Sequence, residues 1–351
     1  MCAKRRGESV NPRVRGNRGT AGSANFVEGP GRPLLVGVLN RADEVQKSTK
    51  PTSIGLATLK KFKEDQSTNM AAMLAFWAFF SIFPLLLVLV TVLGWVLPAS
   101  DKNNVLKHVA DMFPLLDPTS IKGLTGSWWP LLVGLLTTLW SGIGAVRTAQ
   151  TAFNSVWEVP YHQRPGMKEQ VLRSLWVLAT IGTGLVISTL ISGFVTGASS
   201  GINLGVAGRI AGYVIAVLLD VGLFVAAFRM LTDREVTTRD VLPGAVFSGV
   251  VAFVLQQLSS FIISRHLKSA QSTYGHFATV ITILWWFYLQ SIVTLLGAQL
   301  NVVLKERLFP RSLVNAPQTE ADHRALEAYA EERTYQPEEK VEARVEKGDE
   351  G

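Results

Sequence analysis

An acidic side chain interrupts one of the apolar stretches of this chain. In Tyr213–Phe228, Asp220 is the one residue that would not lie comfortably in hydrocarbon. A charged side chain at the centre of a membrane helix costs about 2.5–3.5 kcal/mol on insertion scales, so it normally faces the protein interior or a wet cavity. Asp220 is therefore a candidate proton site or partner for a cationic group. A hydrogen bond between helices explains it equally well, and the sequence leaves both readings open.

A polar stripe runs along a second apolar stretch. Arg147, Gln150 and Asn154 are spaced by three and four residues, so they share one face of a helix. A guanidinium in this position could bind a lipid phosphate through two parallel hydrogen bonds. The alternative is that Arg147 extends to the headgroups at the membrane boundary while its stem stays in apolar surroundings. Asn154 could equally be an interfacial anchor.

Two glutamines lie deep in a third apolar stretch. Gln256 and Gln257 are adjacent, and at least one of them is expected to face the interior of the helix bundle. Together with the residues above they form the predicted lining of a polar substrate path. The six candidate substrate-binding residues are Arg147, Gln150, Asn154, Asp220, Gln256 and Gln257.

Enzyme chemistry has little support in the sequence. The single cysteine, Cys2, cannot form a disulfide or a CxxC metal site within the chain. No two of the five histidines have a zinc-binding spacing such as HExxH, and no phosphate-binding glycine loop opens a helix. We therefore expect no enzyme activity, no metal, no cofactor and no nucleic-acid partner. An enzyme whose residues converge from distant membrane helices stays open as the weakest alternative.

Six apolar segments must position these residues. A segment of about 20 apolar residues crosses ~30 Å of hydrocarbon. Backbone groups in hydrocarbon must bond within their own segment, so each segment is predicted to be a helix. The predicted spans are Met70–Leu97, Trp128–Ala149, Leu172–Thr196, Gly208–Met230, Val241–Ile263 and Phe277–Leu304. The predicted fold class is an all-α integral membrane bundle of six transmembrane helices with disordered polar termini.

The ends of the chain differ from the middle in composition. Residues 1–50 are rich in Arg, Lys, Gly and Pro and are predicted to be a basic, disordered, cytoplasmic head. Residues 51–69 form an amphipathic segment that can lie in the membrane interface. Residues 70–311 form the predicted six-helix membrane domain. Residues 312–351 form an acidic cytoplasmic tail, with at most one short, solvated helix before Pro337.

Lysine and arginine are concentrated at alternate ends of the predicted spans. Four groups would share one side of the membrane: Lys60, Lys61 and Lys63; Arg164, Lys168 and Arg173; Arg234 and Arg239; and Lys305, Arg307 and Arg311. Because cytoplasmic loops carry an excess of these residues, both termini are predicted to be cytoplasmic, with the protein in the inner membrane.

Three stretches of the sequence resemble a known family. "NMAAMLAFWAFFSIFPLLLVLVTVLG", "AVRTAQTAFNSVWEVP" and "YGHFATVITILWWFYLQSIVTLLGAQLNVVL" are similar, in this order, to segments of the YihY/BrkB-like multi-pass membrane proteins, formerly called ribonuclease BN-like. The resemblance covers about Ile54 to Arg307. It implies an inner-membrane protein associated with envelope integrity, and some relatives are proposed to move lipids or lipid-linked glycans. Gln299 departs from the family pattern, since the resemblance leads us to expect an acid there.

Two functions from different classes follow from these observations. The first is a transporter or flippase for an anionic amphipathic lipid, with Arg147 attracting the headgroup and Asp220 and the glutamines lining a polar path. The second is a scaffold protein without transport activity, which recruits partners through its charged tails. Membrane lipids are the expected partners in the first case. Envelope proteins or a second copy of the chain are the expected partners in the second case.

Overall fold

The structure is a computed structural model that describes residues 49–96, 128–197, 205–312 and 319–341. Within these ranges it is helical, with two short 3₁₀ turns and no strand. The α-helices are α1 (Lys50–Glu64), α2 (Ser67–Val96), α3 (Trp128–Val156), α4 (Met167–Gly197), α5 (Gly205–Leu231), α6 (Thr238–Tyr274), α7 (Ala278–Lys305) and α8 (Glu320–Glu332). The prediction of an all-helical protein is confirmed for this part of the chain.

Among the described residues, five helices are long and apolar enough to cross a membrane. They contain the candidate spans Ser67–Leu85, Trp128–Val156, Ile210–Leu231, Thr238–Ser259 and Ala278–Lys305. The predicted span Leu172–Thr196 lies within α4, which is not among the five. At 31 residues, α4 is about 46 Å long. The described residues therefore support five of the six predicted spans.

The six long helices form a closed ring of contacts. Each of α2 to α7 packs against the next helix in the chain, and α7 packs back against α2. Additional contacts cross the ring from α3 to α5 and from α3 to α7. Many side chains on the C-terminal half of α7 are buried, among them Leu295, Ala298 and Val302. Because α7 also contacts α1, it is the helix on which most of the others pack.

One end of the ring carries most of the described polar contacts. We call it the basal end: it is where α1, the α3–α4 connection (residues 157–166), the α5–α6 connection (residues 232–237) and α8 meet. Ion pairs join these regions, for example Arg234 with Glu306 at 3.0 Å and Lys305 with Asp240 at 3.2 Å. The four basic groups that the sequence placed on one side of the membrane therefore lie at one end of the structure.

The predicted acidic tail contains a helix that packs on the rest of the chain, within the part that the structure describes. The prediction of a solvated helix before Pro337 is wrong for one face of α8, because Ala321, Asp322 and Ala325 are buried. The physical reason is charge pairing, since Asp322 accepts hydrogen bonds from Lys60 of α1 and from Arg311. Residues 51–69 were predicted to lie in the membrane interface. They include most of α1, and α1 packs on α7. The predicted head, residues 1–50, lies outside the described residues except for Thr49 and Lys50.

The contact between α6 and α7 has no room for side chains at its closest point. A Cβ atom on Gly244 would lie 1.9 Å from the carbonyl oxygen of Gly297. The backbone N–H of Gly244 also donates to Oδ1 of Asn301 at 2.6 Å. Glycines at helix crossings in membranes allow backbones to approach closely.

Gly244→Ala is expected to lower the stability of the purified protein. The added methyl group would push α6 away from α7, and overpacking of this kind costs about 1–3 kcal/mol. Gly182→Ala is the matched control, because no atom lies within 4 Å of its added methyl group. Thermal unfolding in detergent measures both variants. Equal melting temperatures for the two would contradict the close crossing.

Candidate functional site

The polar stripe on α3 faces α4. Arg147 is half-buried, and its Nε donates to Oε1 of Gln170 at 3.2 Å. Gln150 is buried, and its Oε1 accepts from the Ser174 hydroxyl at 3.5 Å. Its Nε2 has no hydrogen-bond partner among the described residues. The structure thus brings two predicted site residues together with two polar residues of α4.

Asn154 makes a structural contact. Its Nδ2 donates to Oδ2 of Asp233 at 2.5 Å, and the backbone N–H of Asp233 donates back to Oδ1 of Asn154 at 2.9 Å. Arg173 of α4 contacts the same Asp233 and donates to the Met230 carbonyl at 3.0 Å. Both amide atoms of Asn154 are therefore used to hold the α5–α6 connection against the end of α3. The predicted role of Asn154 in substrate binding stays a prediction.

The other predicted site residues lie on different helices. Asp220 is on α5 and is partly buried, as expected for an acid in an apolar helix. Gln256 and Gln257 are on α6, and both are exposed. Neither glutamine is packed between helices, which differs from the expectation that one would face inward. Adjacent side chains on a helix point about 100° apart, so both glutamines can lie on the side of α6 that faces away from the other helices. Their predicted role in substrate binding stays a prediction.

A buried ion cluster lies at the basal end, and sequence analysis did not predict it. Lys61 has no exposed surface, and its ammonium group contacts Glu158 and lies 2.8 Å from Oδ2 of Asp65. Gln299 of α7 donates to Asp65 at 2.7 Å and to Ser67 at 2.9 Å. The cluster therefore joins α1, the start of α2, the end of α3 and α7.

Gln299 fits this cluster because it is neutral. Lys61 is already shared by the two carboxyl groups of Asp65 and Glu158. An acid at position 299, which the family resemblance leads us to expect, would place a third carboxylate beside Asp65. An amide supplies a donor to that carboxylate without adding negative charge.

Glu158 occupies a strained backbone position at the end of α3. Its φ is 48°, in the left-handed region where glycine or asparagine commonly ends a helix. Burial raises the pKa of the Glu158 carboxyl to about 7, although the nearby Lys61 acts in the opposite direction. Asp65 and Glu332 add to the rise because both are negative. For Lys61, burial lowers the pKa, but Glu158 and Asp65 outweigh it and raise the pKa above its ordinary value.

A second cluster fixes α8 to the rest of the chain. The Asp322 carboxylate accepts from Lys60 at 2.8 Å, from Arg311 at 2.9 Å and from the backbone N–H of Ser312 at 2.9 Å. At the other end of α8, Glu332 accepts from Ser155 and from Arg164, each at 2.8 Å. These contacts make α8 part of the basal end.

Sequence reasoning missed these clusters because their members are far apart in the chain. Lys61 and Glu158 are 97 residues apart, and Lys60 and Asp322 are 262 residues apart. Lys60 and Lys61 were interpreted as cytoplasmic cations next to the first span, which is the commoner role of lysine at such a position. The one available signal was Glu158, an acidic residue beside Trp157 in the segment that follows the second predicted span.

The described residues contain no group of three or more His, Cys, Asp and Glu that could hold a metal ion. Arg147 and Gln150 can donate hydrogen bonds to an anion, and the basal clusters can hold or release a proton at Glu158. The expectation that the protein is not an enzyme stays an expectation.

Comparison with known proteins points to one family. Residues 58–322 match the family described as Virulence factor BrkB. The chain is 25% identical to the ribonuclease-like protein YfkH of Bacillus subtilis over 69% of this chain and 91% of that protein. It is 26% identical to a UPF0761 membrane protein of Psychrobacter sp. and 25% identical to one of Azotobacter vinelandii, each over 69% of this chain. The chain spans 46% and 60% of those two proteins. No solved structure matches it.

Glu158→Gln is expected to change how stability depends on pH. Since the folded state raises the pKa of Glu158 from 4.5 to about 7, it binds this proton more tightly than the unfolded chain does. The stability contributed by the proton is present below pH 4.5 and is lost as pH rises through about 7. The shift corresponds to on the order of 3 kcal/mol. Relative to Glu158→Gln, the wild-type protein should therefore lose stability between about pH 5 and about pH 8.

Unfolding in detergent across this pH range measures the effect. Glu338→Gln is the control, because Glu338 is exposed and removed from the cluster. It should follow the wild-type protein at every pH. A stability difference between wild type and Glu158→Gln that does not change with pH would contradict the raised pKa.

Proposed function

This chain belongs to the Virulence factor BrkB family of membrane proteins, and we propose that it binds an anionic amphipathic lipid and moves it across the inner membrane. The observation that carries the proposal is the pair Arg147 and Gln150 inside the candidate span Trp128–Val156. Arg147 is a permanent cation that is half-buried, and the Nε2 of Gln150 is a buried donor without a described partner. An anionic phosphate oxygen would satisfy both groups.

The topology required for this function is six spans, with both termini in the cytoplasm and the basal end on the cytoplasmic side. The closed ring of α2 to α7 supports six spans. The contact of Arg173, near the start of α4, with Asp233, just after α5, places the beginning of α4 and the end of α5 at the basal end. The concentration of Lys and Arg at this end supports the cytoplasmic assignment. A role in envelope integrity would follow from lipid movement.

The scaffold alternative receives less support from the contacts of α8. A tail that recruits partners should be available to them, whereas the buried face of α8 is occupied by α1 and by the residues around Arg311. The basic head (residues 1–50), the outer face of α8 and residues 342–351 are the parts through which a scaffold would act. Envelope proteins or a second copy of the chain would be its partners.

Arg147→Ala is expected to reduce movement of anionic lipid by about tenfold or more, because a hydrogen-bonded charge contributes about 1.5–3 kcal/mol. Movement of fluorescent phosphatidylglycerol in proteoliposomes is the measurement. Arg147→Lys should restore it only in part, since an ammonium cannot bind phosphate as a planar fork. Lys168→Ala is the control, because this cation is exposed at the start of α4. Normal lipid movement by a well-folded Arg147→Ala protein would refute the role of Arg147.

A further inference from the structure

A cavity of about 1070 Å³ lies where α4, α5 and the α5–α6 connection meet. Its apolar wall is formed by α5, with Gly222, Val225 and Ala226 among the lining residues. This part of α5 belongs to the candidate span Ile210–Leu231. The cavity therefore extends from a bilayer-spanning helix to the polar basal end.

The polar part of the cavity contains three arginines, and two of them are already paired. Arg173 contacts Asp233 and donates to the Thr232 carbonyl at 2.6 Å. Arg234 pairs with Glu306 at 3.0 Å. Arg229 is exposed and donates to the Thr238 hydroxyl at 3.2 Å, and no carboxylate lies within 4 Å of it among the described residues.

Arg229 favours binding of an anion at its end of the cavity. Arg173 is paired with Asp233 and Arg234 with Glu306, so Arg229 is the cavity arginine that forms no ion pair among the described residues. Glu235 also lines the cavity, but it does not lie within 4 Å of Arg229. The Thr238 hydroxyl beside Arg229 provides a second donor for a phosphate oxygen.

The apolar part of the cavity has room for a hydrocarbon chain. Gly222 and Ala226 are four residues apart, so they lie on one face of α5. Among the described residues outside this turn of α5, no atom lies within 4 Å of the position that a Cβ atom on Gly222 would take. The open space continues along the helix toward Arg229. A free phosphate ion would leave this apolar wall unused.

We propose that this cavity binds one anionic phospholipid of the bilayer, with its phosphate at Arg229 and Thr238 and an acyl chain along Gly222 and Ala226. The proposal takes its ligand class from the proposed function but adds a second position for the lipid, separate from Arg147. Asn154 connects the two positions, because it lies one turn after Gln150 on α3 and holds Asp233 of the cavity. The basal cavity is then the site where lipid is held before or after it passes Arg147.

Native mass spectrometry of the full-length protein with added phosphatidylglycerol tests the proposal. Arg229→Gln should weaken binding of phosphatidylglycerol by about tenfold or more, while binding of diacylglycerol, which has no phosphate, changes little. Gly222→Leu fills the apolar part and should weaken binding of both lipids. Arg239→Gln is the matched control, because Arg239 is exposed near the start of α6 and does not line the cavity. Melting temperatures close to wild type show that each variant is folded.

Three results would overturn the proposal. The first is unchanged phosphatidylglycerol binding by folded Arg229→Gln. The second is unchanged binding by folded Gly222→Leu. The third is displacement of the bound lipid by inorganic phosphate at a comparable concentration, which would identify a soluble anion as the ligand.

Binding and lipid movement are measured separately, so the two proposals can fail independently. A wild-type protein that binds phosphatidylglycerol through Arg229 but moves no lipid contradicts only the transport function. A protein that moves lipid through Arg147 while Arg229→Gln binds normally contradicts only the basal cavity site.

Discussion

Lys61 carries a positive charge in a position with no exposed surface, and the basal end of the protein depends on how this charge is balanced. Its two acidic partners come from the α1–α2 turn and from the residue pair that follows α3. A buried charge that loses its partner is strongly destabilising, so these segments are held together. Gln299 extends the constraint to α7, on which α2, α3 and α6 also pack.

The same end of the molecule contains the features to which we assign function. Residues 154–158 connect the arginine-lined cavity with the Lys61 cluster. Asn154 holds the α5–α6 connection that borders the cavity, and Glu158 contacts Lys61. Arg147 and Gln150 lie one to two turns earlier on the same helix. A change in the charge of Glu158 would therefore act on the segment that lies between the two proposed lipid positions. The close crossing of Gly244 and Gly297 keeps α6 and α7 in fixed positions beside this segment.

The helices of the ring could be predicted from hydrophobicity, but their ends could not. The predicted span Gly208–Met230 corresponds to α5 within three residues at either end, whereas α6 continues to Tyr274, well past the predicted end at Ile263. An apolar run marks where a helix must be in hydrocarbon, while the helix itself can continue into polar residues. The stripe on α3 was placed correctly by its spacing. Gln256 and Gln257 show the limit, because spacing does not say which face of α6 is covered.

Pairings between distant charges were not predictable from a single sequence. Lys61 and Asp322 are each typical of a solvated segment, and only the fold brings Lys61 to Glu158 and Asp322 to Arg311. The resemblance to a known family correctly indicated the family. It also marked Gln299 as a departure, and the structure gives a physical reason for it, since Gln299 lies beside a carboxylate in a cluster that already has two.

The central claim is that the buried charge of Lys61 holds the basal end together. The most direct measurement is the stability in detergent, at about pH 8 where Glu158 is ionised, of Lys61→Met and of Lys63→Met, its exposed neighbour on α1. The account predicts a loss of about 3–5 kcal/mol for Lys61→Met, because two buried carboxylates lose their shared partner, and little change for Lys63→Met. Equal stability of the two variants would contradict it.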